Sequence, residues 1–93
     1  MLVLSRQLGQ SIVIDDLIVT VDWIAGDHSI VSIVRTTGQF VGNHTARFNE
    51  YFEITEKVRA IVIQAEAGKV RLGIDAPSDC RVSRWEGWNP TKA

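Results

Sequence analysis

Apolar and polar residues alternate without a break from Lys69 to Asp75. Val70, Leu72 and Ile74 can face one side, and Lys69, Arg71, Gly73 and Asp75 the other. Strict alternation over this length is the mark of a half-buried β-strand. A tight turn at Ala67-Gly68 precedes it. Ala76-Pro77 stops it, because proline has no N–H to give to a ladder. A second short strand is expected over residues 80–83, ending at Arg84 beside Trp85. The closing stretch therefore reads as turn, strand, stop, strand and a basic tip.

The rest of the chain repeats this grammar. Residues 1–7 read as an apolar strand carrying one arginine and turning at Gly9. Residues 11–14 read as a strand broken by Asp15-Asp16. Residues 17–25 and 28–36 are rich in β-branched side chains, which favour strands, and Ala25-Gly26-Asp27 turns one into the other. Thr37-Gly38 marks a further turn, and Gly42-Asn43 carries a hairpin-type signal. Residues 40–41 before it and 45–48 after it fit short strands, and residues 47–52 fit a single helical turn equally well. Residues 58–65 are again a clear strand. The expected class is all-β, a small antiparallel sandwich or barrel-like sheet assembly.

Phe40, Phe48, Tyr51 and Phe52, all of the non-tryptophan aromatics, gather in the middle of the chain. A buried cluster covering a sheet is the expected role, and a base-stacking platform is the alternative. A weak internal repeat runs through the chain. Residues 17–34 read strand, Ala25-Gly26, strand; residues 57–74 read strand, Ala67-Gly68, strand. After Arg84 the segment Trp85-Glu86-Gly87-Trp88-Asn89-Pro90 holds a glycine and a proline, which oppose helix propagation by roughly 1 and 3 kcal/mol relative to alanine. An irregular tail is expected, with Trp85 or Trp88 packing on the sheet.

Charge and composition exclude several functions. A net charge of −1 argues against a generally basic nucleic-acid binder but leaves room for a local basic patch. One cysteine, Cys80, allows no intrachain disulfide and no metal cluster. His28 and His44 have no carboxylate at a ligand or relay spacing, so neither a metal site nor a catalytic site is expected. No glycine loop of a nucleotide-binding kind is present, and no cofactor is expected. No apolar run approaches a membrane span. No basic segment followed by a long apolar core opens the chain, so the expected compartment is the cytoplasm.

Two motifs together carry a resemblance. The opening Met1-Leu2-Val3-Leu4-Ser5-Arg6-Gln7-Leu8-Gly9-Gln10-Ser11-Ile12 and the closing Gly68-Lys69-Val70-Arg71-Leu72-Gly73-Ile74-Asp75-Ala76-Pro77, followed by Val82 and Arg84, resemble the carbon storage regulator family. These are small bacterial translational regulators that bind messenger RNA. The resemblance implies a strand-exchanged homodimer in which the first and last strands lie at a sheet edge. It implies recognition of GGA sequences in hairpin loops of mRNA 5′ leaders, and repression of translation by occupancy rather than catalysis. The family's RNA-contacting positions fall on Leu4, Ser5, Arg6, Ala76, Pro77, Val82, Ser83 and Arg84. Gln7 and Ser83 stand where many members carry a second basic residue and a histidine.

The family needs one hairpin between its opening strand and its Ala-Pro motif, and this chain has two. Either the second is a near-duplicate of the first, or a hairpin and the aromatic segment have been inserted. The spacing from Val58 to Arg71 matches the family best, so the expected organisation is a single domain over residues 1–93 with roughly 26–54 as the added part. A second function follows from the same departures: a divergent module that binds a regulatory protein partner, forming mixed dimers with a normal family member or titrating it.

Overall fold

The structure is a computed structural model and describes residues 1–66 and 68–87. Among the described residues nine strands follow one another: β1 Leu2–Gln7, β2 Ser11–Ile14, β3 Leu17–Ile24, β4 His28–Arg35, β5 Phe40–Arg47, β6 Tyr51–Glu53, β7 Arg59–Glu66, β8 Lys69–Asp75 and β9 Val82–Arg84. A 3-10 turn, Trp85–Gly87, comes after β9. The all-β expectation holds. One sheet has the order β1-β8-β7-β6 and the other β5-β4-β3-β2-β9, with every pairing antiparallel.

Period-two patterning decides which side chains meet. Val70, Leu72 and Ile74 of β8, Ala60 and Val62 of β7 and Leu4 of β1 are buried from one sheet. Ile12, Ile14, Val19, Val21, Val31, Ile33 and Ala46 meet them from the other. These residues form one continuous core, so the sheets are two layers of a sandwich. Gly73 sits on the outer face, level with Val3 and Ile61. A Cβ there would come within 2.6 Å of the Met1 sulfur and 3.0 Å of Ile61, which explains a glycine inside a strand.

The strand that opens the chain finds its partner within the chain and leaves its other side as a sheet edge. β1 pairs along its length with β8 of the same chain, from Leu2 opposite Ile74 to Gln7 opposite Lys69. Residues 26–54 are shared between the layers: β4 and β5 belong to one sheet and β6 to the other.

One turn is misplaced by sequence reading. Gly42-Asn43 lies inside β5, with Gly42 opposite Ile33 and Asn43 opposite Ser32. The chain reverses earlier, where Gly38 takes a φ of 98° and its N–H donates to the Arg35 carbonyl. Gly42 instead adjoins a shift of register, since Ile33 faces Gly42 but Val34 faces Phe40, a usual place for a strand glycine. Residues 48–50 form a turn with Asn49 at φ 66°, not a helical turn. Of the aromatic group, Phe48 and Phe52 pack on the core, whereas Phe40 and Tyr51 are exposed. Arg59 lies over the Tyr51 ring at 4.2 Å. Trp85 is 45% exposed, and Trp88 lies outside the described residues.

Candidate nucleic-acid interface

β1 is an edge strand of one sheet and β9 of the other. Packing of the layers sets these edges side by side, running in the same direction. Near their beginnings, Met1, Leu2 and Val82 line one shallow groove of about 210 Å³, together with Ala76, Pro77 and Cys80. Near their ends, Arg6 reaches Glu86, with Nη1 donating to Oε1 at 2.8 Å. The same guanidinium donates from Nη1 to the Ser11 carbonyl at 3.1 Å and from Nε to the Ser5 carbonyl at 2.8 Å. Arg6 thus ties β1 to β2 and to the turn after β9, across the seam between the sheets.

Arg6 is buried, at 5% exposure. A buried guanidinium requires partners for its donors, and these three acceptors engage Nε and Nη1. The contact with Arg6 holds the Glu86 carboxyl below its ordinary value, with a smaller contribution from Arg84.

A second device places β9. Asp15 sits in the turn between β2 and β3 at φ 51°. Its Oδ1 accepts from the Arg81 N–H at 2.9 Å, and its own N–H donates to the Arg81 carbonyl at 2.9 Å. The Cys80 N–H donates to the Pro77 carbonyl at 3.0 Å, rounding the corner after Ala76-Pro77. Partial burial, then the hydrogen bond to Asp15, pushes the Cys80 thiol up to about 11. The corner delivers Val82 opposite Ile14, Ser83 opposite Val13 and Arg84 opposite Ile12.

The residues singled out from sequence divide into three groups. Ala76, Pro77 and Val82 meet in the groove. Ser5 and Arg84 are exposed, on β1 and at the tip of β9, and Ser83 is half-buried between Val82 and Arg84. Leu4 and Arg6 are buried, Leu4 in the core opposite Leu72 and Arg6 in its clasp. Sequence reasoning missed Met1 and Leu2 as groove walls and Glu86 as the partner of Arg6. No local spacing links positions 80 residues apart. A wider groove of about 440 Å³ opens on the other side of Ala76-Pro77, but Glu53, Glu56 and Asp75 line it beside Lys57 and Arg59. That mixture suits a polyanion less well than the tip at Arg84.

The arrangement offers two strand edges with outward backbone groups, an apolar slot and an unburied arginine. Among the described residues no cluster of histidine, cysteine or carboxylate side chains is placed to hold a metal ion, and no helix is long and apolar enough to cross a membrane.

Fold and edge geometry define a small all-β module of two packed antiparallel sheets. The model of the CsrA family, described as the global regulator protein family, matches residues 45–92. The match spans just over half of the chain, and the protein belongs to this family. Membership points to the role of an RNA-binding regulator of translation, in a family that works without catalysis. Comparison with curated proteins and with solved structures gave no significant match.

Proposed function

We propose that the protein binds GGA-containing hairpin loops in mRNA leaders and represses translation by occupying the leader in place of the ribosome. It acts in the cytoplasm, where leaders meet ribosomes. The observation that carries this reading is the seam between β1 and β9, with Arg84 exposed at its tip and clasped edges on either side.

Single-stranded loops are read by hydrogen bonds to base edges and by contact with unstacked bases. The seam has the parts for both. Edge strands turn unpaired N–H and C=O groups outward, at a spacing set by the pleat. The slot beside Leu2, Pro77 and Val82 accepts the face of a splayed base. Arg84 presents a planar fork that matches a guanine edge or a phosphate. The Ser5 and Ser83 hydroxyls add donors and acceptors, and the backbone of Ala76 and Pro77 adds carbonyl acceptors. Leu4 and Arg6 serve from beneath, by holding β1 in register and the two edges together. The partner subunit suggested by the family is not needed to build this seam, because β1 finds β8 in its own chain.

The test is a titration of the protein against a GGA hairpin and against the same hairpin carrying CCA, repeated at several salt concentrations. At least a tenfold preference for GGA and a falling affinity with salt are expected. Equal affinity for both RNAs would overturn the reading and favour a protein-binding module.

A further inference from the structure

The two sheets are built to one plan. Replacing each of β1 to β4 by the strand four places later, and the reverse, turns the order β1-β8-β7-β6 into β5-β4-β3-β2, which is the second sheet without β9. The correspondence extends to single hydrogen bonds. After β1 the chain turns through residues 8–10, and after β5 through residues 48–50. The middle residues of these turns, Gly9 and Asn49, have φ of 84° and 66°. The Gly9 N–H donates to the Val21 carbonyl at 2.7 Å, and the Asn49 N–H to the Val62 carbonyl at 2.8 Å. Leu8 donates to Gly68 at 3.4 Å, and Phe48 to Asp27 at 3.2 Å, each reaching the turn of the other half. The register of β3 on β4 shifts after Val21, and that of β7 on β8 after Val62.

The halves differ where the seam is made. β8 and β4 bury corresponding rows, Val70, Leu72 and Ile74 against Ser29, Val31 and Ile33. Arg6 lies opposite Val70 and Leu4 opposite Leu72; Ala46 lies opposite Ser29 and His44 opposite Val31. At the β5 edge, therefore, alanine stands in the place of the clasping arginine, and histidine in that of Leu4. The counterpart of β9 is missing as well. β4 passes to β5 through residues 36–39 alone, too short a link to form a corner and another strand, whereas residues 76–81 lead from β8 into β9.

We propose that this chain is a two-fold assembly fused into one polypeptide, in which the ligand edge at β1 and β9 is kept and its equivalent at β5 is erased, so that one chain binds one RNA hairpin. Residues 26–54 are then the end of the first unit and the beginning of the second, not an addition. The site count rests on the function proposed above; the fused assembly does not. A protein with one edge occupies a single loop and cannot bridge two loops of one leader, which removes the gain in effective concentration that a two-site protein draws from a second loop.

The experiment measures mass by sedimentation equilibrium at micromolar concentration and RNA stoichiometry by titration with a GGA hairpin well above the dissociation constant. The expected results are the 10.4 kDa mass of one chain and a break at one RNA per chain. Arg84→Ala should lower affinity at least about fivefold and leave no second tight step. His44→Ala, at the erased edge, should change affinity less than twofold. A mass of two chains overturns the fused assembly whatever the RNA does. Two RNAs per chain, or a loss above fivefold in His44→Ala with an unchanged melting temperature, overturns the erased edge. A single-chain mass with no RNA binding sinks the proposed function and the site count with it, and leaves the fused assembly standing.

Discussion

Arg6 on the first strand and Glu86 in the turn after the last meet at 2.8 Å, and their contact closes the seam between the two sheets. The guanidinium is buried while the carboxylate is half exposed, so the pair is unequal. Arg6 has three acceptors from three segments, and Glu86 has water as an alternative partner.

That inequality predicts asymmetric substitutions. Arg6→Ala should destabilise the fold by about 1.5–3 kcal/mol, the range for losing hydrogen bonds from a charged donor. Glu86→Gln should have the smaller effect, because exposed ion pairs contribute little. Urea denaturation of both single variants and the double variant measures their coupling. An Arg6→Ala effect no larger than that of Glu86→Gln would contradict the clasp.

Glu86 also sets an acid response. Its folded carboxyl is held below the ordinary value by Arg6. The contribution of the pair is therefore present above the ordinary glutamate range and is lost as pH falls through the lowered value. Melting temperature followed from pH 6 down to pH 3 should decline less steeply in Glu86→Gln than in the wild type. Parallel curves would show that the carboxylate contributes nothing.

The Cys80 thiol should be slow to react. With its value pushed up to about 11, little thiolate exists near pH 8, and thiolate is the reactive form. A raised folded value means that the stabilisation is complete below the ordinary thiol range and is lost as pH rises towards 11. Alkylation rates with iodoacetamide should keep rising beyond pH 9. Asp15→Ala should shift that profile to lower pH and speed the reaction. A plateau by pH 9 in the wild type would sink this account.

Arg84 should dominate RNA affinity. Arg84→Ala should weaken binding to a GGA hairpin by roughly 1–3 kcal/mol if the fork makes a bidentate base contact. Arg35→Ala, whose side chain pairs with Asp16 on the surface, and Lys57→Ala, in the acidic groove, should change it little. Equal losses in all three, measured at one salt concentration, would mean diffuse attraction without a site.

Phe48 and Phe52 should behave as packing residues. Both lie partly buried against the core, and the Phe52 ring is 5.6 Å from His44. Alanine at Phe52 should destabilise by about 2–3 kcal/mol, less than the roughly 3–5 kcal/mol of a fully buried phenylalanine. RNA affinity of the folded fraction should stay unchanged. Loss of RNA binding with unaltered melting would assign the ring to stacking.

The sequence by itself determined what is local. Alternation in residues 69–75, the stop at Ala76-Pro77 and the turn at Gly9 name strands and ends, because side-chain period and backbone freedom act over a few residues. The paired opening and closing motifs were enough to point to the family. The tertiary structure alone decided which edges meet. The dipeptide Gly42-Asn43 has turn chemistry, yet ladder bonds to β4 hold it extended once Gly38 has made the reversal. Leu4 and Arg6 sit in a motif that suggests surface contact, yet packing of the layers buries both. Strand order, the Arg6–Glu86 clasp and the matching of the two halves all join residues far apart in the chain. Each depends on which apolar faces bury each other best, and that is a property of the assembled sandwich that no short window of residues contains.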